Sequence, residues 1–186
     1  MQHPVKAISA YYARHNILPL QTIEYMEYAL LSLYNEWIKI IIYGIIFAVL
    51  NEDRPFWFIL LILYPIRWIS GGLHARTFWG CFICSFITIF LLIYAAPLLP
   101  CPVIPFSLVL TLLCLLAYRH VPYTPAFRPI KNARTIRRLR CLYIIVFLIW
   151  IMVLNLAAWP DKYISIGFYT LLFQVVQLFI PRKGGN

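Results

Sequence analysis

The residues equipped for chemistry crowd into one stretch: Arg67-Trp68-Ile69-Ser70-Gly71-Gly72-Leu73-His74-Ala75-Arg76-Thr77-Phe78-Trp79-Gly80-Cys81-Phe82-Ile83-Cys84-Ser85. A cysteine attacks through its thiolate, and a thiol of ordinary pKa, about 8.5, supplies little of it near neutrality. An imidazole within hydrogen-bond reach takes the thiol proton and later delivers it to a leaving amine. His74 and Cys81 are the residues of this stretch with that chemistry. Gly71-Gly72 allows a sharp turn after the preceding apolar run, and Thr77 is of the type that caps a helix N-terminus. His74 then falls in a loop, and Cys81 about one turn inside the next helix, where the helix end and Arg76 add positive potential. A continuous helix through 74–81 would instead hold the two about 10.5 Å apart along its axis, so a dyad requires the chain to bend between them. Spacing alone leaves open that they are an ordinary interfacial histidine and an ordinary cysteine in an apolar segment.

Two other chemistries are poorer fits. His74, Cys81 and Cys84 supply three metal ligands, where a structural zinc site takes four. Cys81 and Cys84 form a C-x-x-C, but in an apolar helix without redox-domain context. Neither a metal nor a cofactor is expected.

The elements that must position these residues are apolar. Of 186 residues, 63% are hydrophobic and 12% charged, against about a quarter charged in soluble domains, and the mean hydropathy is +0.81. The apolar residues come in long runs, so lipid is the natural solvent. The sequence predicts an all-α, polytopic membrane helix bundle of about six spans, near 28–50, 55–69, 78–97, 103–118, 141–159 and 163–180. A full crossing needs about 20 residues, which makes the second and fourth short. Pro55, Pro65, Pro97, Pro100, Pro102 and Pro105 cluster around them, so four full spans plus two short or re-entrant elements is the alternative. The chain is expected to form a single membrane domain over 1–186. Residues 1–26 would be a cytoplasmic or interfacial segment, with Ile8, Tyr11, Tyr12 and Leu18 on one face of a short helix. The bundle would occupy 28–180, with loops at 67–77 and 119–140. No signal peptide is visible, and five cysteines, an odd number mostly in apolar runs, argue against a disulfide framework.

The net charge of +10 is confined to short connections, which fits topology signals and anionic lipid rather than nucleic acid. With a cytoplasmic N-terminus, the inner segments hold Lys6, Arg14, Arg67, Arg76, Arg119 through Arg140, Arg182 and Lys183, while the outer ones hold Arg54 and Lys162 beside Glu52, Asp53 and Asp161. This predicts both termini, and the 67–77 loop, on the cytoplasmic side. Glu36 and Lys39, three residues apart in the first span, are expected to pair or face the bundle interior.

At Arg67, Gly71-Gly72-Leu73-His74-Ala75, Cys81 and Ser85 the chain resembles the accessory gene regulator B (AgrB) family of membrane-embedded peptide-processing proteases. Its signature has an arginine, Gly-Gly-x-His-Ala, a cysteine seven residues after the histidine and a serine four after the cysteine. The likeness extends to chain length, span order and the basic fourth-to-fifth connection. It departs at Tyr28-Ala29-Leu30-Leu31, where the family usually has Gly and then an acidic or amide residue. The resemblance implies a multi-pass protein of the bacterial cell membrane, with Cys81 as nucleophile and His74 as base and then acid. The substrate would be a short precursor of the AgrD type, which leaves an acyl-enzyme thioester on Cys81 when its C-terminal tail departs. A cysteine or serine of the precursor then closes a thiolactone or lactone ring, the core of a quorum-sensing peptide. Phe78, Trp79 and Phe82 are expected to keep water from the thioester.

Arg67, with Gly71, Gly72 and Ser85, would support the site or bind substrate. Arg128, Lys131, Arg134, Arg137, Arg138 and Arg140 form a basic stretch that suits lipid headgroups, and all but Arg140 are candidate docking residues for an acidic part of the precursor. A homodimer is compatible with a small bundle that must build a groove. Two competing functions remain: a non-enzymatic transporter of small peptides or solutes, in which Glu36 and Lys39 matter and Cys81 does not, and a membrane thiol acyltransferase using the same dyad.

Overall fold

The computed structural model describes residues 3–15, 19–72, 77–101, 103–123 and 132–180. Seven helices are present among them: α1 (His3–Arg14), α2 (Leu20–Val49), α3 (Asp53–Ser70), α4 (Phe78–Tyr94), α5 (Val103–Ala117), α6 (Ala133–Leu156) and α7 (Asp161–Phe179), with 3-10 turns at Ala96–Leu98 and Tyr118–His120. The described residues contain no named strand, only an isolated parallel bridge between Gly71 and Tyr123. The all-α membrane bundle expected from the apolar runs is what the chain forms. Four segments are long and apolar enough to cross a membrane, namely Gln21–Val49, Phe78–Leu98, Ala133–Leu156 and Asp161–Phe179, and Pro105–His120 is a shorter apolar helix. The 18 residues of α3 rise about 27 Å, slightly less than a hydrocarbon core. The fourth apolar run is thus a short one, as its length implied, whereas α3 is no shorter than α4, whose 17 residues are extended by the turn at Ala96–Leu98.

Helix ends depart from the apolar boundaries where helix-forming polar residues continue the turn. α2 starts at Leu20 rather than near residue 28, because Glu24 and Glu27 sustain a helix that hydropathy does not register. The carbonyl of Pro19 accepts from the N–H groups of Thr22 (2.8 Å) and Ile23 (3.1 Å) at its start. α6 starts at Ala133 rather than near 141. The Asn132 side chain caps it, accepting from Arg134 N–H at 2.9 Å, so the basic residues 134–140 form its first two turns and not a loop. α3 runs through Pro65 to Ser70, which confines the next connection to 71–77.

The chain divides into two compact units, Met1–Val49 and Leu50–Asn186. In the first, α1 packs along α2. Val5 and Ser9 are buried, whereas Ile8 and Tyr11 are exposed, so the apolar face foreseen for an interfacial helix points outward. Leu18 lies outside the described residues. Within α2, Lys39 donates to Glu36 as expected for charges in an apolar run.

In the second unit α3 and α7 are the central helices. Phe56, Ile59, Ile62 and Ile66 of α3 and Ile166, Phe168, Leu171 and Val175 of α7 are fully buried. The apolar stretch of α7 is 56% buried, against 22% for those of α4 and α6; the outward residues of the latter are the ones left for lipid. α3 and α7 run parallel. Lys162 at the start of α7 reaches Glu52, just ahead of α3, with Nζ to oxygen distances of 2.7 and 2.8 Å, while Gln174 late in α7 reaches Ser70 at the end of α3. α6 approaches α7 closely at Gly167, where an added Cβ would stand 2.5 Å from Leu154 Cδ2.

Candidate functional site: a thiol on a cavity beside a glycine turn

Thr77 caps α4 as foreseen: its backbone is extended, its hydroxyl oxygen accepts from Gly80 N–H at 3.1 Å, and its carbonyl accepts from Cys81 N–H at 3.0 Å. Cys81 therefore sits in the first turn of the helix. Cys84, Ser85 and Thr88 follow on the same side at helical spacing. This side of α4 faces a cavity of about 410 Å³ whose lining also includes Arg67 and Leu63 of α3 and Phe173, Val176 and Gln177 of α7. Arg67 and Ser85, singled out from the sequence, are thus brought to the same cavity as Cys81.

The aromatic residues foreseen as its wall lie elsewhere. Phe78, Trp79 and Phe82 cluster with one another, at ring-centroid distances of 5.5, 5.9 and 6.1 Å, and none lines the cavity. Trp79 is two residues from Cys81 and so on the opposite side of the helix, 68% exposed. Leu63, Ile89, Leu92, Phe173, Val176 and Ile180 supply the apolar wall instead.

The glycine pair has a distinct reason at each position. Gly71 ends α3 at φ +74°, a left-handed conformation that side chains resist, and a Cβ there would lie 2.3 Å from the carbonyl oxygen of Tyr123. The close approach is fixed by Tyr123 N–H donating to Ser70 O at 2.7 Å. Gly72 lies under two side chains of the cavity, with its Cβ position 3.1 Å from both Arg67 Nε and Gln177 Oε1.

Sequence reasoning missed Ser70, Gln174 and Gln177, which hold this turn. Gln177 donates through its amide nitrogen to Gln174 Oε1. Gln174 Nε2 donates to Ser70 Oγ at 2.8 Å, and the Ser70 hydroxyl donates to Ile66 O at 2.8 Å. Ser70 and Gln174 are fully buried and Gln177 nearly so. The available signal was two amides three residues apart in an apolar helix, since polar groups at membrane depth turn toward protein.

Of the basic stretch, Arg134, Arg137 and Arg138 are exposed on α6. Arg140 is engaged instead: its Nε donates to Val121 O at 2.8 Å, a terminal nitrogen donates to Arg119 O at 3.1 Å, and its guanidinium carbon lies 5.3 Å from the centre of the Tyr118 ring. His74, Arg76, Pro102, Arg128, Lys131, Arg182 and Lys183 lie outside the described residues.

These features define a multi-pass helical membrane protein with a cysteine on a mostly apolar cavity between its helices. The family model for accessory gene regulator B matches residues 5–178, and the chain belongs to that family. It is similar to a curated AgrB-like protein of Clostridium beijerinckii, with 27% identity over 180 residues that cover 96% of this chain and 88% of the relative. No solved structure matches it. Family membership places the chain in accessory gene regulator autoinducer processing, a membrane-bound step of quorum sensing, and implies an AgrD-type precursor as its partner.

Proposed function

We propose that the protein is a cysteine endopeptidase that removes the C-terminal tail of a short precursor peptide and promotes cyclisation of what remains. The observation that carries this reading is the position of Cys81. It lies in the first turn of α4, on a cavity shared with Arg67 and Gln177, directly after the connection that bears His74.

In the first step His74 takes the Cys81 proton while Sγ attacks the scissile carbonyl carbon. Collapse of the adduct breaks the C–N bond, His74 returns the proton to the departing amine, and the tail leaves with the acyl group held as a thioester on Cys81. A thiol or hydroxyl of the precursor then attacks the thioester carbonyl and gives its proton to His74. The bond to Cys81 breaks, and the proton passes to the released thiolate. Thioester exchange between two thiols is nearly isoenergetic, so ring closure needs water kept away and the precursor thiol held close. The apolar lining of the cavity suits the first requirement. Arg67 offers a fixed cation to a carboxylate of the departing tail or to the scissile carbonyl.

The exposed Arg134, Arg137 and Arg138, with Arg128 and Lys131, dock an acidic region of the precursor. Arg67, Arg119, Arg134, Arg137 and Arg138 lie toward the Gly71 end of the bundle, which supports a cytoplasmic placement of the site. The test is co-expression with a short precursor peptide of the AgrD type. Wild type releases the tail and yields the ring, and His74→Ala and Cys81→Ser do neither. Tail release by both variants would defeat the protease reading and favour transport or another role.

A further inference from the structure

The cavity on which Cys81 stands lies within the second compact unit, between α3, α4 and α7, and its two ends differ in chemistry. At the Gly71 end are polar groups: the Cys81 thiol in the first turn of α4, the Arg67 guanidinium in the last turn of α3, and the Gln177 amide. Arg67 Nε and Gln177 Oε1 each lie 3.1 Å from the same point beside Gly72, so the two are neighbours. From there the cavity follows α4 from Cys81 to Leu92, about 16 Å along the helix axis. Its deeper wall includes Leu63, Ile89 and Leu92, all buried, whereas Val176 and Ile180 on its rim are exposed. The Thr88 hydroxyl on this path is already donated to Cys84 O at 2.8 Å, so an occupant of the deeper part meets apolar surface. No carboxylate is among the described residues that line it. The volume of about 410 Å³ is at the lower end of the range for small-ligand sites, about 300–1,000 Å³, which suits a bulky side chain rather than a folded segment.

A charged group moved into the deeper part would lose its water without gaining a counter-ion, and Arg67 at the mouth repels a cation. An apolar side chain gains from the same move. The cysteine at the mouth decides which part of a peptide that side chain belongs to. After Sγ attacks, the tail departs, while the acyl part stays bonded to Cys81 until the ring closes. A tail filling the cavity would admit water on leaving, at the moment when the thioester is open to hydrolysis. An acyl part filling it keeps the cavity occupied through both steps. We propose that this cavity is the specificity pocket for the apolar side chain of the residue whose carbonyl Cys81 attacks, with Leu63, Ile89 and Leu92 as its specificity-determining residues. The proposal rests on Cys81 being the nucleophile of the endopeptidase.

The experiment uses the full chain in lipid nanodiscs with a short precursor of the AgrD type and reads kcat/KM for tail release. The precursor carries phenylalanine, leucine, alanine or aspartate at the residue that supplies the scissile carbonyl, and in a second series at the residue after it. Wild type should prefer phenylalanine or leucine to alanine in the first series by about 10-fold or more, since one methylene in an apolar pocket discriminates by about 10- to 200-fold. It should leave the aspartate precursor uncut and discriminate little in the second series. Ile89→Ala widens the pocket and should raise the phenylalanine-to-leucine ratio about 10-fold, while Ile89→Phe narrows it and should turn the preference toward alanine. Leu63→Ala and Leu92→Ala widen the same wall from α3 and α4 and stand in for Ile89 variants that do not fold. Ile87→Ala, at an exposed position of α4 outside the cavity, should keep the wild-type ratios. Ratios that stay flat in wild type and in folded pocket variants, with Cys81→Ser inactive, would overturn the pocket and leave the endopeptidase standing. So would discrimination confined to the second series, a loss shared equally by all precursors, or activity of the Ile89 variants that tracks the acyl-chain length of the nanodisc lipid, the sign of a lipid occupant. Tail release by Cys81→Ser would overturn both readings.

Discussion

The parallel pair α3 and α7 is tied at both ends, by opposite means. At the Glu52 end the tie is a charged pair between Glu52 and the ammonium of Lys162, whose side chains are 19% and 41% exposed. At the Gly71 end the tie is uncharged and buried, running from Gln177 through Gln174 to Ser70. A charged pair in water holds two flexible side chains and contributes about 0–1 kcal/mol. A buried hydrogen-bond chain contributes a fixed direction, and each broken link strands its neighbours. The end that needs only closure carries the cheap tie, and the end beside Cys81 carries the exact one.

Substitutions should separate the two ends by magnitude. The largest stability effect is expected for Gly71→Ala, which combines a positive φ with a Cβ 2.3 Å from the Tyr123 carbonyl. A loss of about 2 kcal/mol or more, read as a fall in the thermal midpoint in detergent, should come with loss of tail release. A stable Gly71→Ala protein would mean that Tyr123 does not pack on this turn. Next, Gln174→Leu and Ser70→Ala should be non-additive in a double-mutant cycle, with a coupling of about 0.5–3 kcal/mol; strictly additive losses would show that the two side chains act apart. Arg140→Lys should cost about 1 kcal/mol, because an ammonium cannot reproduce a planar fork across the Val121 and Arg119 carbonyls. Smallest is Lys162→Ala, at or below about 1 kcal/mol and diminished further by salt, with tail release unchanged. If Lys162→Ala destabilised as much as Gln174→Leu, the contrast between the ends would collapse.

Much of the architecture was legible from composition. Long apolar runs located six helices, and run length marked α5 as short; α3, at 18 residues, is no shorter than α4 at 17 and is set apart by its charges Asp53, Arg54 and Arg67. The Thr77 cap and the turn at Gly71-Gly72 could be read because both are local: an oxygen placed to meet an N–H three residues on, and two residues without a Cβ. The starts of α2 and α6 were misplaced because hydropathy marks where lipid begins, whereas glutamate and arginine continue a helix beyond it. The aromatic wall was misassigned for a geometric reason. Neighbours in sequence on a helix point in different directions, and Trp79 faces away from the cavity that Cys81 lines.

The amino-acid sequence by itself determined the solvent of this protein, the number of its apolar helices, the side of the bundle rich in positive charge, and the stretch holding His74 and Cys81. Each follows from residue type or from spacings of a few residues. Only the tertiary structure decided that α7 supplies the amides that grip the end of α3, that Arg140 clasps the carbonyls of Arg119 and Val121, and that Leu63, Phe173 and Val176 line the same cavity as Cys81. Those partners are brought together by packing across scores of residues, and no local pattern encodes which buried donor will meet which acceptor.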